Sequence, residues 1–355
     1  MRSRSAWMLE IVWLIGLCWP SLTLAQSDAR PAPGVSTART AQFQERSVQA
    51  WLMRLHEAAQ RYTYAGTFVV SRANAGLASA HIWHVCNGPQ QLERIESLTG
   101  APRITFRKDQ QVLSLDPLAR IALLQRKESL GPFPHVLKST QQHDVEGYYS
   151  ARVRGVQRIA GLTTDVLNLI PADKLRFGYR IWSEQRTGLA LKVQTLDTQG
   201  QVLEESAFTH LQWQAPTTAE QLLQMMTQTP LGYRIEQPKL VATTAKAEGW
   251  HLRRSVPGFK PIACVKRWGK DSATEPTLQW IFSDGLASVS LFIQSFDSQH
   301  HRHEGVHSQG ATYALSFRIS QQTGNLPDRW VTVIGEVPPQ TLHAFAKALE
   351  HKDQP

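Results

Sequence analysis

The residues best suited to chemistry in this 355-residue chain form one short segment, His303-Glu304-Gly305-Val306-His307. Two histidines four positions apart, with a glutamate after the first, match a zinc-protease pattern in which both imidazoles bind the metal and the glutamate is the general base. That chemistry needs a helix, and Gly305 and Val306 disfavour one. We therefore expect an exposed hairpin loop, and leave open whether the segment from His300 to His307 binds metal adventitiously.

Other catalytic patterns are missing from the sequence. It contains no Gly-x-Ser-x-Gly, Ser-x-x-Lys or Cys-x-x-Cys motif and no glycine-rich phosphate loop. The neighbouring acids Glu204 and Glu205 would point to opposite faces of a strand, so they cannot share a substrate. We therefore predict that the protein is not an enzyme and has no cofactor, no catalytic residue and no physiological metal site.

Arginines and cysteines offer weaker signals. Arg152, Arg154 and Arg158 share parity along a predicted strand, so they could form a stripe that meets phosphates or carboxylates; a solvated face is the alternative. Cys86 and Cys264 could pair in an oxidising compartment, or remain two separate buried thiols.

The start of the chain predicts export. Residues 1–25 are basic, then apolar, and end in Thr23-Leu24-Ala25, which is typical of a signal peptide cleaved after Ala25; an uncleaved membrane anchor is the alternative. Residues 26–42 have the composition of a disordered leader. The net charge of +9 favours an acidic partner, or only aids solubility, and export disfavours nucleic acid.

The elements that must position these residues are mostly strands. The clearest run, Phe177–Phe208, alternates apolar and polar residues and predicts three antiparallel strands joined by turns at Thr187-Gly188 and Asp197–Gly200. With the runs before it, this predicts about ten or eleven strands, near the number at which an open sheet curls into a half-barrel.

A helix over Ser47–Arg61 carries an apolar stripe at helical spacing. We expect this helix to cover the concave side of the sheet. The side chains expected to face each other there are Trp51, Leu52 and Leu55 of the helix and Phe68, Val70, Ile104 and Phe106 of the strands. A closed core and an open lipid groove remain alternatives for this surface.

Three groups of motifs extend along the chain. The three-strand meander of Phe177–Phe208 contains Tyr179-x-x-Trp182, Thr187-Gly188-Leu189-x-Leu191-x-Val193 and Asp197-x-x-Gly200-x-x-Leu203-Glu204. An earlier hairpin contains Glu93-Arg94, Leu98-x-Gly100-x-Pro102-Arg103 and Arg107. The C-terminal part contains Phe282-Ser283-Asp284-Gly285-Leu286 and Gly335-Glu336-x-Pro338-Pro339-Gln340-Thr341. These motifs resemble the RseB/MucB family of periplasmic sigma-factor regulators. The meander is also similar to that of the LolA and LolB lipoprotein carriers, which lack the second domain.

The resemblance implies an α+β, mostly β protein. Its large domain would be a LolA-like unclosed antiparallel half-barrel with a plugging helix at 43–214, followed by a linker at 215–230 and a small β-rich partner-binding domain at 231–355. It implies binding of the periplasmic segment of a membrane-spanning anti-sigma factor of the RseA/MucA type. That binding would protect the segment from regulated proteolysis, and lipid signals would release it.

The resemblance also leads us to name ligands and contact residues. Acyl chains, lipoproteins or lipopolysaccharide are the expected lipid signals, and a homodimer is an open possibility. The partner-binding candidates are Ser283, Asp284, Gly285, Leu286, Arg152 and Arg154. The alternative function is a periplasmic lipoprotein or glycolipid carrier with no regulatory role, which would need only the large domain.

Overall fold

The computed structural model describes residues 46–74, 76–88, 90–109, 111–126, 145–228, 232–268, 275–320 and 328–351. The predicted signal peptide, the leader and the last residues of the predicted linker lie outside these ranges. Strands dominate the described part, and no helix in it has the length and hydrophobicity that a membrane crossing requires.

The first sheet contains twelve described strands. Strands β1 to β6 are Tyr64–Arg72, Gly76–Asn87, Gln90–Ser97, Ile104–Lys108, Gln111–Asp116 and Ile121–Arg126. Strands β7 to β12 are Tyr149–Ile159, Leu162–Pro171, Gly178–Glu184, Ala190–Leu196, Val202–Trp213 and Arg234–Glu236. Their order is β12-β6-β5-β4-β3-β2-β1-β11-β10-β9-β8-β7, so β7 and β12 are the outermost of the described strands and the sheet is open, as the sequence predicts.

Helix α1 spans Val48–Arg61 and packs on the β7 to β10 side of the first sheet. It begins at Ser47, whose hydroxyl accepts a hydrogen bond from the Ala50 N–H at 3.2 Å and satisfies one of the free donors of the first turn. Its apolar stripe is buried, as helical spacing predicts, and each large side chain there contributes about 1.5–3 kcal/mol of burial free energy.

The second sheet contains seven described strands. They are β13 (Leu240–Ala242), β15 (Lys260–Arg267), β16 (Thr277–Ser283), β17 (Ser288–Ser295), β18 (Gly305–Gln309), β19 (Thr312–Ile319) and β20 (Arg329–Gly335), in the order β13-β15-β16-β17-β20-β19-β18. Two short strands, β14 (Trp250–Leu252) and β21 (Leu349–His351), pair separately. Helix α2 spans Ala219–Thr227, and helix α3 spans Pro339–Ala348 and buries Leu342 and Phe345 in the core of the second sheet.

Two features differ from the sequence expectation. Strand β12 lies beyond position 231, yet it pairs in parallel with β6 and adds a twelfth strand to the first sheet. A three-residue strand gives too little alternation to be recognised from sequence. The sequence pattern also predicts a last helix from Gln340 to Glu350, but that helix ends at Ala348 because the next residues pair with β14.

Candidate partner-binding and lipid-binding sites

The helical part of the predicted lipid groove is a closed core in this structure. Trp51, Leu52 and Leu55 are 1%, 0% and 0% exposed. They share one core cluster with side chains from the facing strands and from the second sheet, including Leu167, Leu169, Tyr179, Ile181 and Leu286. An acyl chain could reach this surface only if α1 moved away from the sheet.

The strand candidates belong to other clusters. Phe68 is buried with Tyr64, Ile82 and Phe208, and Val70 packs against that group. Phe106 is buried in a third cluster, with Ile104 packed against it. The expectation that Trp51, Leu52 and Leu55 face all four strand residues is therefore wrong. Helix α1 packs on β7 to β10, whereas β4, which carries Ile104 and Phe106, lies on the other side of β1. The role of these residues in lipid binding stays a prediction.

The turn Ser283–Leu286 is part of a junction between the sheets. Asp284 is completely buried, and its Oδ1 accepts hydrogen bonds from the N–H groups of Leu286 at 2.9 Å and Ala287 at 2.7 Å. Its Oδ2 accepts from Arg176 Nε at 2.7 Å and from the Tyr149 hydroxyl at 3.3 Å. Both carboxylate oxygens are therefore satisfied, one within the turn and one by residues next to β8 and in β7.

Arg176 completes the junction from the first sheet. Its Nη2 donates to the Pro257 carbonyl at 2.7 Å, and its Nη1 pairs with Asp173. The guanidinium also lies over the rings of Tyr148 and Phe259, at 4.4 and 5.2 Å from their centroids. Burial lowers the pKa of Arg176, but the hydrogen bond to Asp284 and the charges of Asp284 and Asp173 outweigh burial and raise that pKa above its ordinary value.

This geometry changes the interpretation of the turn. Asp284 and Leu286 are not accessible to a partner in this conformation, because the first is buried in the junction and the second is 6% exposed in the core beneath α1. The Ser-Asp-Gly-Leu run between two apolar strands predicts a tight turn, but it does not show what that turn contacts. Arg176 and Tyr149 were missed altogether, since nothing local shows that a loop arginine will be buried against a turn over one hundred residues away.

The predicted arginine stripe is interrupted by a β-bulge. Arg152 pairs with Asn168 and Arg158 pairs with Thr163, but the register shifts between Val153 and Gly155. One extra residue reverses the alternation, so Arg158 faces the opposite way from Arg152, and the prediction of a single stripe is wrong. Arg152 and Arg154 are exposed on β7, an outermost described strand, and their role in partner binding stays a prediction.

The histidine segment is not a helix and is only partly a loop. Residues 301–304 have no regular structure, whereas Gly305–Gln309 form strand β18 and pair with β19. The expectation of a loop over the whole motif is therefore wrong from Gly305 onward. His303 and His307 are exposed, and in the described ranges no three histidine, cysteine or acidic side chains are arranged to bind a metal ion.

The two cysteines of the described part are separate. Cys86 lies in β2 of the first sheet and Cys264 in β15 of the second, and both are free thiols of intermediate exposure. The sequence left open whether Cys86 and Cys264 form a disulfide, and in this structure they do not.

An open, mostly antiparallel sheet that carries packed helices and is joined through a buried turn to a second sheet defines a two-part binding protein. The chain belongs to the MucB/RseB family: the model of the MucB/RseB N-terminal domain matches residues 47–226, and that of the MucB/RseB C-terminal domain matches 244–350.

Named relatives agree with this assignment. The sigma factor AlgU regulatory protein MucB of Pseudomonas aeruginosa is 29% identical over 307 residues, which is 84% of this chain and 89% of that protein. The sigma-E factor regulatory protein RseB of Escherichia coli K12 is 21% identical over 301 residues, covering 85% and 90%.

Solved structures of MucB, one of them from Pseudomonas aeruginosa, are similar as well. The MucA/MucB complex matches with a TM-score of 0.65 and 28% identity, covering 86% of this chain and 98% of the matched chain. A crystal structure of MucB in complex with MucA(peri) matches with a TM-score of 0.63 and 27% identity, covering 86% and 99%.

Proposed function

We propose that this protein is a negative regulator of an envelope-stress sigma factor. It binds the periplasmic segment of a membrane-spanning anti-sigma factor of the RseA/MucA type and shields that segment from the protease that begins sigma-factor release. The observation that carries the proposal is the likeness to MucB of the MucA/MucB complex, which extends over 98% of that chain. Family membership of both the N-terminal and C-terminal regions supports it.

The buried junction supports a preformed binding surface. Breaking a buried ion pair by removing one partner costs about 3–5 kcal/mol, so the Arg176–Asp284 pair holds the two sheets in one arrangement. A partner that contacts both sheets then loses little free energy to reorganisation. The net charge of +9 complements an acidic segment.

We also propose a cellular compartment and a domain organisation for this protein. The protein is exported to the periplasm and cleaved after Ala25. Its half-barrel domain spans 43–214, and the small partner-binding domain spans 231–355, after a linker. Arg152 and Arg154 are the exposed partner-binding candidates and Ser283 is partly exposed, whereas Asp284, Gly285 and Leu286 would become available only if the junction opened.

Release by lipid is the regulatory part of the proposal. Acyl chains, lipoproteins or lipopolysaccharide displace α1 and occupy the surface that Trp51, Leu52 and Leu55 cover in this conformation. Because Leu286 packs in the same core cluster, a lipid there would also disturb the junction turn. A lipid that binds the opened form must weaken partner binding. By thermodynamic linkage, the partner weakens lipid binding by the same factor. A homodimer is compatible with this scheme and is not required by it.

The alternative function is a lipoprotein or glycolipid carrier. A carrier of that type would need only the first sheet. The family match of residues 244–350 favours the regulator, since it extends over the second sheet.

Limited proteolysis tests the regulatory function. The periplasmic segment of the MucA-type protein from the same genome is digested with and without the purified protein at ten times the dissociation constant. Only about one segment in eleven is then free, so its half-life should lengthen about tenfold. A scrambled segment of the same composition is the control. Equal digestion with and without the protein would overturn the proposal, and shortening of the half-life by added lipid would support release.

A further inference from the structure

A second group of polar residues lies far from the junction, on strands β2 and β3. We call it the Cys86 cluster, formed by Cys86, His84 and Glu93. His84 and Cys86 are two positions apart on β2, so their side chains share one face of the sheet, and His84 pairs across the strands with Glu93 of β3.

The three side chains form a hydrogen-bonded chain. Glu93 Oε1 lies 2.8 Å from His84 Nδ1, and His84 Nε2 lies 3.2 Å from Cys86 Sγ. The imidazole therefore has an acid at one nitrogen and a thiol at the other, which is the arrangement that activates nucleophilic cysteines. The remaining carboxylate oxygen of Glu93 faces Arg107, with 3.3 Å between Oε2 and Nη1.

The imidazole of this cluster is cationic at neutral pH. Burial lowers the pKa of His84, but hydrogen bonds with Cys86 and Glu93 and the charge of Glu93 more than offset burial and raise that pKa to about 9. The other titratable ring that faces the cluster is Tyr64, stacked on His84 at 4.8 Å, and burial raises the pKa of Tyr64 well above its usual value, so Tyr64 stays neutral. The Nε2–H of that imidazolium lies against the Cys86 sulfur.

We propose that Cys86 is an oxidisable nucleophile, a modification site whose sulfur reacts with hydroperoxides to give a sulfenic acid. The side chain is half-buried rather than enclosed, so a small oxidant can reach it, while His84 and Glu93 beside it are buried. The inference is independent of the proposed regulatory function, since it rests on the geometry of this cluster alone.

The reaction balances with hydrogen peroxide as the oxidant. The Cys86 thiolate attacks one peroxide oxygen, the S–O bond forms and the O–O bond breaks. The leaving hydroxide takes the Nε2 proton of the His84 imidazolium and departs as water. The sulfur is oxidised by two electrons, the peroxide is reduced by two, and a thiol can reverse the change through a disulfide.

Cys264 is the matched comparison within the same chain. It has similar intermediate exposure, but burial and the charge of Glu248 raise its pKa to about 11. At pH 7 about one part in ten thousand of a thiol with that pKa is thiolate, so Cys264 should react slowly.

Sulfenate trapping tests the proposal on the intact protein. The folded chain is treated with one equivalent of hydrogen peroxide in the presence of dimedone, and labelling at each cysteine is followed by peptide mass spectrometry. We expect Cys86 to be labelled at least tenfold faster than Cys264, and the difference to disappear in urea. Equal rates in the folded protein, or faster labelling of Cys264, would overturn the proposal.

Substitution tests the part played by the imidazole. His84→Gln removes the cation but keeps a polar side chain, and the labelling rate at Cys86 should fall at least tenfold. An unchanged rate in a folded His84→Gln variant would overturn the proposal. Should that variant fail to fold, the comparison of Cys86 with Cys264 in the native and urea-unfolded wild type still decides the question.

Discussion

Arg176 and Asp284 form a fully buried ion pair, with 2.7 Å between Nε and Oδ2, that joins the loop after β8 to the turn after β16. Three further polar groups contact that pair: the Pro257 carbonyl, Asp173 and the Tyr149 hydroxyl. Through this ion pair, the turn after β16 of the second sheet packs against the loop after β8 of the first sheet. The pair therefore determines how the two regions matched by the family models are joined.

Removing one charge of the pair should be strongly destabilising. Asp284→Ala leaves the buried guanidinium with Asp173 as its remaining acidic partner, and we expect a loss of about 3–5 kcal/mol in urea unfolding at neutral pH. Glu204→Ala is the control, because it breaks the more exposed Arg72–Glu204 pair and should cost less than about 1 kcal/mol. Equal losses in the two variants would show that the buried pair does not hold the junction.

A glycine beside Arg176 provides a steric test. Gly258 has φ +83°, and a Cβ there would lie 2.1 Å from Arg176 Nη2, so Gly258→Ala must displace the guanidinium. Gly200 has almost the same φ, +84°, but open space around it, so Gly200→Ala reports the backbone cost alone, about 1 kcal/mol. Gly258→Ala should lower the unfolding free energy by clearly more, measured in the same urea titration. A loss no larger than that of Gly200→Ala would contradict the packing described here.

A substitution in helix α1 distinguishes a closed core beneath the helix from an open lipid groove. Leu52 is fully buried, so Leu52→Glu places a carboxylate among apolar side chains and should unfold the first sheet or lower its melting temperature sharply. Met53, the next residue, is 43% exposed, and Met53→Glu should leave the melting temperature near that of wild type. If Leu52→Glu instead stays as stable as Met53→Glu and loses binding of a fluorescent fatty acid, the surface beneath α1 is an open groove.

The His84–Glu93 pair predicts how stability depends on pH. The folded-state pKa of His84 is raised from 6.5 to about 9, so its contribution is full below about pH 6.5 and is lost as pH rises through 9. Burial raises the pKa of Glu93, but the bond to His84 and the charges of His84 and Arg107 lower it overall. The Glu93 contribution is therefore present above about pH 4.5 and lost as pH falls.

Stability from this pair should therefore be greatest between about pH 5 and 6.5 and should fall as pH rises from 6.5 through 9, because the raised pKa of His84 links its protonation to folding. Urea unfolding at each pH measures it. His84→Gln should flatten the fall above pH 6.5. If the unfolding free energy of His84→Gln falls as steeply above pH 6.5 as that of wild type, titratable groups other than His84 cause the pH dependence.

The sequence predicted what depends on local patterns. Alternation in Phe177–Phe208 predicted three strands, and the structure has them as β9, β10 and β11. The apolar stripe of Ser47–Arg61 predicted a helix that faces the sheet with Trp51, Leu52 and Leu55, and left open whether that surface is closed; in the structure these side chains are buried. Long-range contacts were not predicted. Which strands α1 covers, the burial of Asp284 against Arg176, and the bulge after Val153 all depend on how distant elements meet, and no local spacing encodes that.

Calorimetric titration of the purified protein with the periplasmic segment of its own MucA-type anti-sigma factor tests the central claim most directly. We expect saturable binding that Asp284→Ala weakens at least tenfold, because that variant loosens the junction, while the Glu204→Ala control binds as wild type does. The result that would contradict it is no measurable binding by the folded wild-type protein.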